Sequence, residues 1–196
     1  MPLGKQAKVL TKPQAEAVLS YLGSTRYPVR NRVVFLLSLK AGLRAKEIAS
    51  LTWAMVTDAE GRLTDAIHLT DVASKGRSGR VIPLNNELIE ALEALKKETE
   101  ASARPSPYLI TSERGAKTSA AAIVNKFAGW YAALGFAGAS SHSGRRTFIT
   151  NAARKISTVG GSLRDVQILA GHSALSTTQR YIDSNGDAQR RIVNIL

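Results

Sequence analysis

With 196 residues, 44% of them hydrophobic and 21% charged, the chain is long enough to bury one sizeable core and short for two. Lys and Arg number 27 against 15 Asp and Glu; the formal charge of +12 favours a polyanionic partner, nucleic acid before a membrane surface. The absence of cysteine excludes disulfides, thiolate metal sites and a thiol nucleophile, and no run approaches the roughly 18 apolar residues of a spanning helix, so a soluble, cytoplasmic protein is expected.

Thr11 and Pro13 open a first helix, in which Ala15, Val18, Leu19 and Leu22 recur at helical spacing before Gly23-Ser24 closes it. Pro28 begins a second, apolar over much of its surface through Val33, Val34, Leu36, Leu37 and Leu39, with Gly42 as its left-handed stop. A short helical turn over 45–50 precedes two extended pieces, 66–69 and 80–83, which flank the turn-rich 74–79 and predict a small β-hairpin. Asn86 is the expected cap of a helix carrying Leu88, Ile89, Leu92 and Leu95, and a loop then leads to the apolar Tyr108-Leu109-Ile110. Thr118 is the expected cap of a stretch with Ile123, Val124, Phe127 and Tyr131 that ends at Gly135. Ser162 and Asp165 form a capping box before Val166, Ile168 and Leu169, and a last short helix is expected to start near Ser176 and carry Tyr181. No repeat or interdomain linker interrupts this pattern. The expected architecture is one α+β domain, mainly α with a small antiparallel β-sheet.

Moving a phosphodiester needs an in-line nucleophile, positive donors for the charged oxygens and an acid for the leaving oxygen, and the sequence has residue types for all three. Arg44 follows a helix stop and opens a new turn, a fixed place from which to present a guanidinium; alone, it also reads as a surface arginine beside Glu47. Lys75 lies in the hairpin turn with Arg77 and Arg80, where a solvated turn lysine is the plainer account. His142 and Arg145 are spaced to share one face of a helical turn. His172 follows a glycine helix stop and reads equally as a C-terminal cap, and Tyr181 as a half-buried core aromatic.

Together and in this order, these pieces resemble the tyrosine recombinase family of the phage-integrase type. A first box is similar to Ala41-Gly42-Leu43-Arg44 with Glu47, a lysine hairpin to Lys75-Gly76 followed by 80–84, and a second box to His142-x-x-Arg145. The closing motif is similar to Leu169-Ala170-Gly171-His172-Ser173 with Thr177-Thr178 and Tyr181. The resemblance runs from about Thr11 to the C-terminus. It implies the fold of the family's catalytic domain and an enzyme that cleaves and rejoins DNA through a 3′-phosphotyrosyl link at Tyr181, with no metal, cofactor or ATP. It further implies that Arg44, Arg145 and His172 brace the phosphate, that Lys75 protonates the departing 5′ oxygen and that His142 helps remove the tyrosine proton. Glu47 becomes a buttress for the arginines, and Arg77, Arg80, Arg146 and Arg180 become DNA contacts.

Gly144 and Arg146 stand where the family frequently has leucine and histidine. Family members usually carry a separate helical core-binding domain, and about ten residues precede the first helix here; residues 1–196 are therefore expected to be the catalytic domain alone, either excised from a longer protein or naturally minimal, with weak, salt-dependent DNA binding. By family analogy the active form is a tetramer on DNA. The C-terminal tail, 184–196, is expected either to dock on a neighbouring protomer or to fold back on its own domain. The rival functions are a type IB topoisomerase, a non-catalytic DNA-binding regulator that keeps the fold and, less well matched at 6% aromatic residues, a basic protein that binds RNA or acidic partners.

Overall fold

A computed structural model describes residues 7–74, 79–102, 106–114, 117–181 and 193–194. Helix α1 (Lys12–Gly23) starts at a reciprocal cap, in which the Thr11 backbone donates to the Gln14 side chain and the Gln14 backbone to the Thr11 hydroxyl. Helix α2 (Pro28–Lys40) has proline in its first turn, where the missing N–H has no helical partner to lose. Val33 to Leu37 are fully buried, because α1, α4 (Asn86–Glu100) and α6 (Ser143–Lys155) all pack on this helix. Gly42, at φ +65°, turns the chain into α3 (Ala45–Ser50).

Strands β1 (Ala66–Leu69) and β2 (Arg80–Pro83) pair antiparallel with Leu69 opposite Arg80 and Ala66 opposite Pro83. Side chains alternate across β2, so Arg80 and Ile82 both face inward while Val81 stays exposed. The apolar segment after the loop makes one antiparallel bridge, Thr52 to Tyr108, and buries Leu109 and Ile110.

Three boundaries differ from expectation. The cap of α4 is Asn85, whose side chain accepts from Leu88 N at 3.1 Å, and not Asn86. Ser119 takes the place expected of Thr118 ahead of α5 (Ala120–Ala133), accepting from Ala122 N at 3.0 Å. In both cases adjacent residues have equal capping chemistry, and the backbone decides between them. The last helix, α8 (Leu175–Gln179), begins one residue early and stops short of Tyr181, which lies in the turn after it. The Ser162–Asp165 cap opens α7 (Leu163–Ala170) as expected, and Gly171 ends it at φ +61°.

The core has two parts. The larger runs from α1 through α5, with Phe35, Phe127 and Tyr131 among its largest side chains. The smaller joins Ile149 of α6 to Val166 and Ala170 of α7, with Phe148 and Tyr181 packed against it. Among the described residues no helix is long and apolar enough to cross a membrane.

Candidate active site

The site forms where the α2 stop, the start of α6 and the end of α7 converge. Its centre is Glu47, on the first turn of α3 and 0% exposed. One carboxylate oxygen accepts from the Arg44 backbone N–H at 2.8 Å and the other from the Arg44 guanidinium at 2.8 Å. From the opposite side Arg80 donates to the same two oxygens at 3.1 and 3.3 Å, and its Nε donates to the Leu169 carbonyl at 2.8 Å. Burial by itself opposes the charge on Glu47, but the hydrogen bonds and charges of Arg80 and Arg44 outweigh it and hold the carboxyl below its usual range. A buried, doubly paired carboxylate replaces the exposed surface salt bridge that was the plainer account of Arg44 and Glu47.

The expectation for Arg80 as a DNA contact is corrected by this arrangement. Its side chain is only 4% exposed, because the strand alternation that buries Ile82 turns Arg80 inward as well. Gly171 makes room for it, since a Cβ there would lie 2.7 Å from an Arg80 nitrogen. The Arg44 side chain, 27% exposed, keeps part of its guanidinium open beyond Glu47.

Arg145 is on the first turn of α6 and 4% exposed. It donates to the Gly42 carbonyl at 2.5 Å and the Ala170 carbonyl at 2.6 Å, and its Nη2 lies 3.0 Å from Nε2 of His172. Burial, then the nearby Arg44 charge, lowers its pKa to about 10, so the guanidinium remains charged at neutral pH. The same burial, with the positive charges of Arg145, Arg44 and Arg80, lowers His172 to about 4 and keeps its ring neutral. The His172 backbone is clamped by Gln167, whose side chain donates to the His172 carbonyl at 2.9 Å and whose own carbonyl accepts from His172 N at 3.1 Å.

Tyr181 stacks on the His172 ring, with centroids 5.6 Å apart at 23°, and the Arg146 guanidinium lies over the tyrosine ring at 5.8 Å. A pocket of about 420 Å³ opens here, lined by His142, Arg145, Arg146, Thr177, Arg180 and Tyr181 among others. His142 is exposed at the N-cap of α6, with its Nδ1 3.5 Å from the Ser141 hydroxyl. Of the expected site residues, His142, Arg145, Arg146, Arg180 and Tyr181 thus share one pocket; His172 adjoins it through its contacts with Arg145 and Tyr181, and the charge of Arg44 reaches Arg145 from beside it. Lys75, Arg77 and all of the expected tail except 193–194 lie outside the described residues. Among the described residues no cluster of His, Cys, Asp or Glu could hold a metal ion.

Gly144 now has a physical reason. A Cβ on it would lie 2.5 Å from the Ser38 hydroxyl and 3.2 Å from the Ser38 backbone, so the glycine lets α6 close onto α2 and fixes where the next residue, Arg145, begins its reach.

The sequence model of the Phage integrase family matches residues 8–187. The chain belongs to the phage integrase, or tyrosine recombinase, family. It is 35% identical over 153 residues to tyrosine recombinase XerC of Rhizobium meliloti (strain 1021), covering 78% of this chain and 45% of that protein. It is 32% identical over 186 residues to tyrosine recombinase XerD of Pseudomonas putida KT2440, covering 91% and 58%. The chain therefore spans about half the length of these curated relatives. Among solved structures, the Tn1549 transposon integrase in complex with transposon right end DNA superposes with a TM-score of 0.78 at 21% identity, over 100% of this chain and 68% of that one. XerA recombinase superposes at 0.75 and 22%, over 99% and 65%. These structures share the catalytic-domain fold of the phage integrase family, mainly helical with a small antiparallel sheet, as expected from the sequence.

Proposed function

We propose that this chain is a site-specific DNA recombinase that cleaves and rejoins strands through a covalent bond between Tyr181 and a 3′ phosphate. The observation that carries this reading is that Arg145 and Tyr181 line one basic pocket while His172 touches both of them, with Arg44 held nearby by Glu47. In this scheme the Tyr181 oxygen attacks phosphorus, the P–O5′ bond breaks, the phenol proton leaves with help from His142, and Lys75 protonates the departing 5′ oxygen. Arg44 and Arg145 stabilise the extra negative charge of the transition state, and His172 supplies a further hydrogen bond. Glu47 and Arg80 position Arg44, while Arg77, Arg146 and Arg180 meet the DNA backbone. Because the phosphotyrosine conserves the bond energy, rejoining requires neither ATP nor a metal.

The partner is double-stranded DNA, with a tetramer on DNA and docking of the C-terminal tail as the assembled form. A cytoplasmic location agrees with the cysteine-free composition. The test is covalent trapping: nicked suicide duplexes, drawn from a randomised pool at low salt, are incubated with the protein without metal or ATP. An SDS-resistant adduct from wild type and none from Tyr181→Phe is expected. DNA binding without an adduct from wild type would favour a non-catalytic regulator; relaxation of plasmids lacking any specific site would favour a topoisomerase.

A further inference from the structure

The hydroxyl of Thr178 is fully buried, and its one hydrogen-bond partner among the described residues is Nδ1 of His172, at 2.9 Å. A neutral imidazole has one donor and one acceptor nitrogen, and arginine can only donate. Since Arg145 Nη2 lies 3.0 Å from Nε2, that nitrogen accepts, the proton sits on Nδ1, and Nδ1–H donates to Thr178 Oγ1. In this tautomer His172 has no hydrogen to give a phosphate at Nε2. A phosphate in the pocket draws the Arg145 donor onto itself, and for Nε2 to donate as well the proton must leave Nδ1 and one must be taken up at Nε2, with no change in ring charge. Nδ1 then needs a donor. A hydroxyl meets both demands by rotating from acceptor to donor; a carbonyl or carboxylate at the same place would lock the first tautomer.

We propose that Thr178 is a positioning residue for strand cleavage, its hydroxyl setting which nitrogen of His172 carries the proton and thus whether Nε2 accepts from Arg145 or donates to the scissile phosphate. The inference rests on the recombinase reading for the phosphate but not for the DNA-free tautomer. The same residue also holds the nucleophile, because its carbonyl accepts from Tyr181 N at 3.0 Å and the Tyr181 ring stacks on the ring that the hydroxyl orients. A helical threonine commonly turns its hydroxyl back to a carbonyl of the preceding turn. Here the hydroxyl is directed to the histidine instead.

The experiment compares wild type with Thr178→Val, which keeps the shape and loses the hydroxyl, and Thr178→Ser, which keeps the hydroxyl. Ring ¹⁵N spectra of the full chain, which has only 3 histidines to assign, report the protonated nitrogen with and without orthovanadate as a phosphate mimic. Expected is Nδ1–H in wild type and the serine variant, moving to Nε2–H with vanadate, and loss of the Nδ1–H state in the valine variant. Adduct formation on suicide duplexes should fall about 10- to 100-fold in the valine variant and be restored by serine. A folded valine variant with the wild-type tautomer and adduct rate overturns the proposal while leaving the recombinase reading intact. If wild type binds DNA but gives no adduct, the recombinase reading fails, and the spectra alone decide whether Thr178 sets the tautomer. Should the valine variant not fold, Thr178→Ala makes the same comparison.

Discussion

His172 is a base that the folded protein keeps neutral, and this has a consequence for stability that can be signed. Its pKa falls from an ordinary 6.5 to about 4, through burial first and then the charges of Arg145, Arg44 and Arg80. Below pH 6.5 the unfolded chain therefore takes up a proton that the native state refuses. The contribution of His172 to stability is complete above about pH 6.5 and is lost as the pH falls through about 4. Denaturant titrations across that window should show stability declining with acid in wild type and a flatter profile in His172→Gln; identical slopes would mean that the ring is not held neutral. Much of this residue-level detail was legible beforehand. Arg44, Glu47, His142, Arg145, His172 and Tyr181 stand in short boxes of distinctive spacing, and the described structure places them around one site. The family resemblance makes Arg80 a DNA contact, whereas its two-residue spacing from Ile82 along β2 indicates the inward face it takes. Thr178 lies within the closing motif, but its partner sits across a turn whose geometry spacing does not reveal.

Among the elements, the apolar helices were readable, and the capped starts to within a residue, because burial and capping leave marks of composition. Helix α6 fits the expectation that the chain after residue 118 is helical, but without the same marks of composition. Its buried face carries Ser143, Gly144, Arg145, Thr147 and Thr150 beside the apolar Ile149, so the apolar stripe that signals an amphipathic helix is nearly missing. It is held instead by close contact with α2 and by polar links, such as the Thr147 hydroxyl accepting from Leu10 N at 2.8 Å. This gives a prediction at the level of the helix pair. Restoring the leucine frequent in the family, by Gly144→Leu, should destabilise the protein by about 1–3 kcal/mol, since the new side chain meets Ser38 before it can pack. A thermal melt equal to wild type would show that α6 can move away from α2 without cost.

For the molecule as a whole, under the proposed function, charge would govern the encounter with DNA. With a formal charge of +12 and the basic pocket around Tyr181, most of the binding free energy should come from neutralising phosphates and releasing their counterions. If the chain covers about 6–10 phosphates, its affinity should fall by roughly 10³–10⁵ between 50 and 200 mM salt. Fluorescence anisotropy on a labelled duplex measures this; an affinity nearly independent of salt would point to base contacts as the main source of binding. Arg145 donates to the Gly42 carbonyl at the end of α2 and to the Ala170 carbonyl at the end of α7, so it bridges a helix of the larger core and one of the smaller. Under the proposed function, a variant at this position that failed to cut DNA would not reveal whether chemistry or architecture was lost, because one side chain would serve both. For freezing an uncut complex, Tyr181→Phe is the cleaner choice: it removes a single oxygen and leaves that bridge in place.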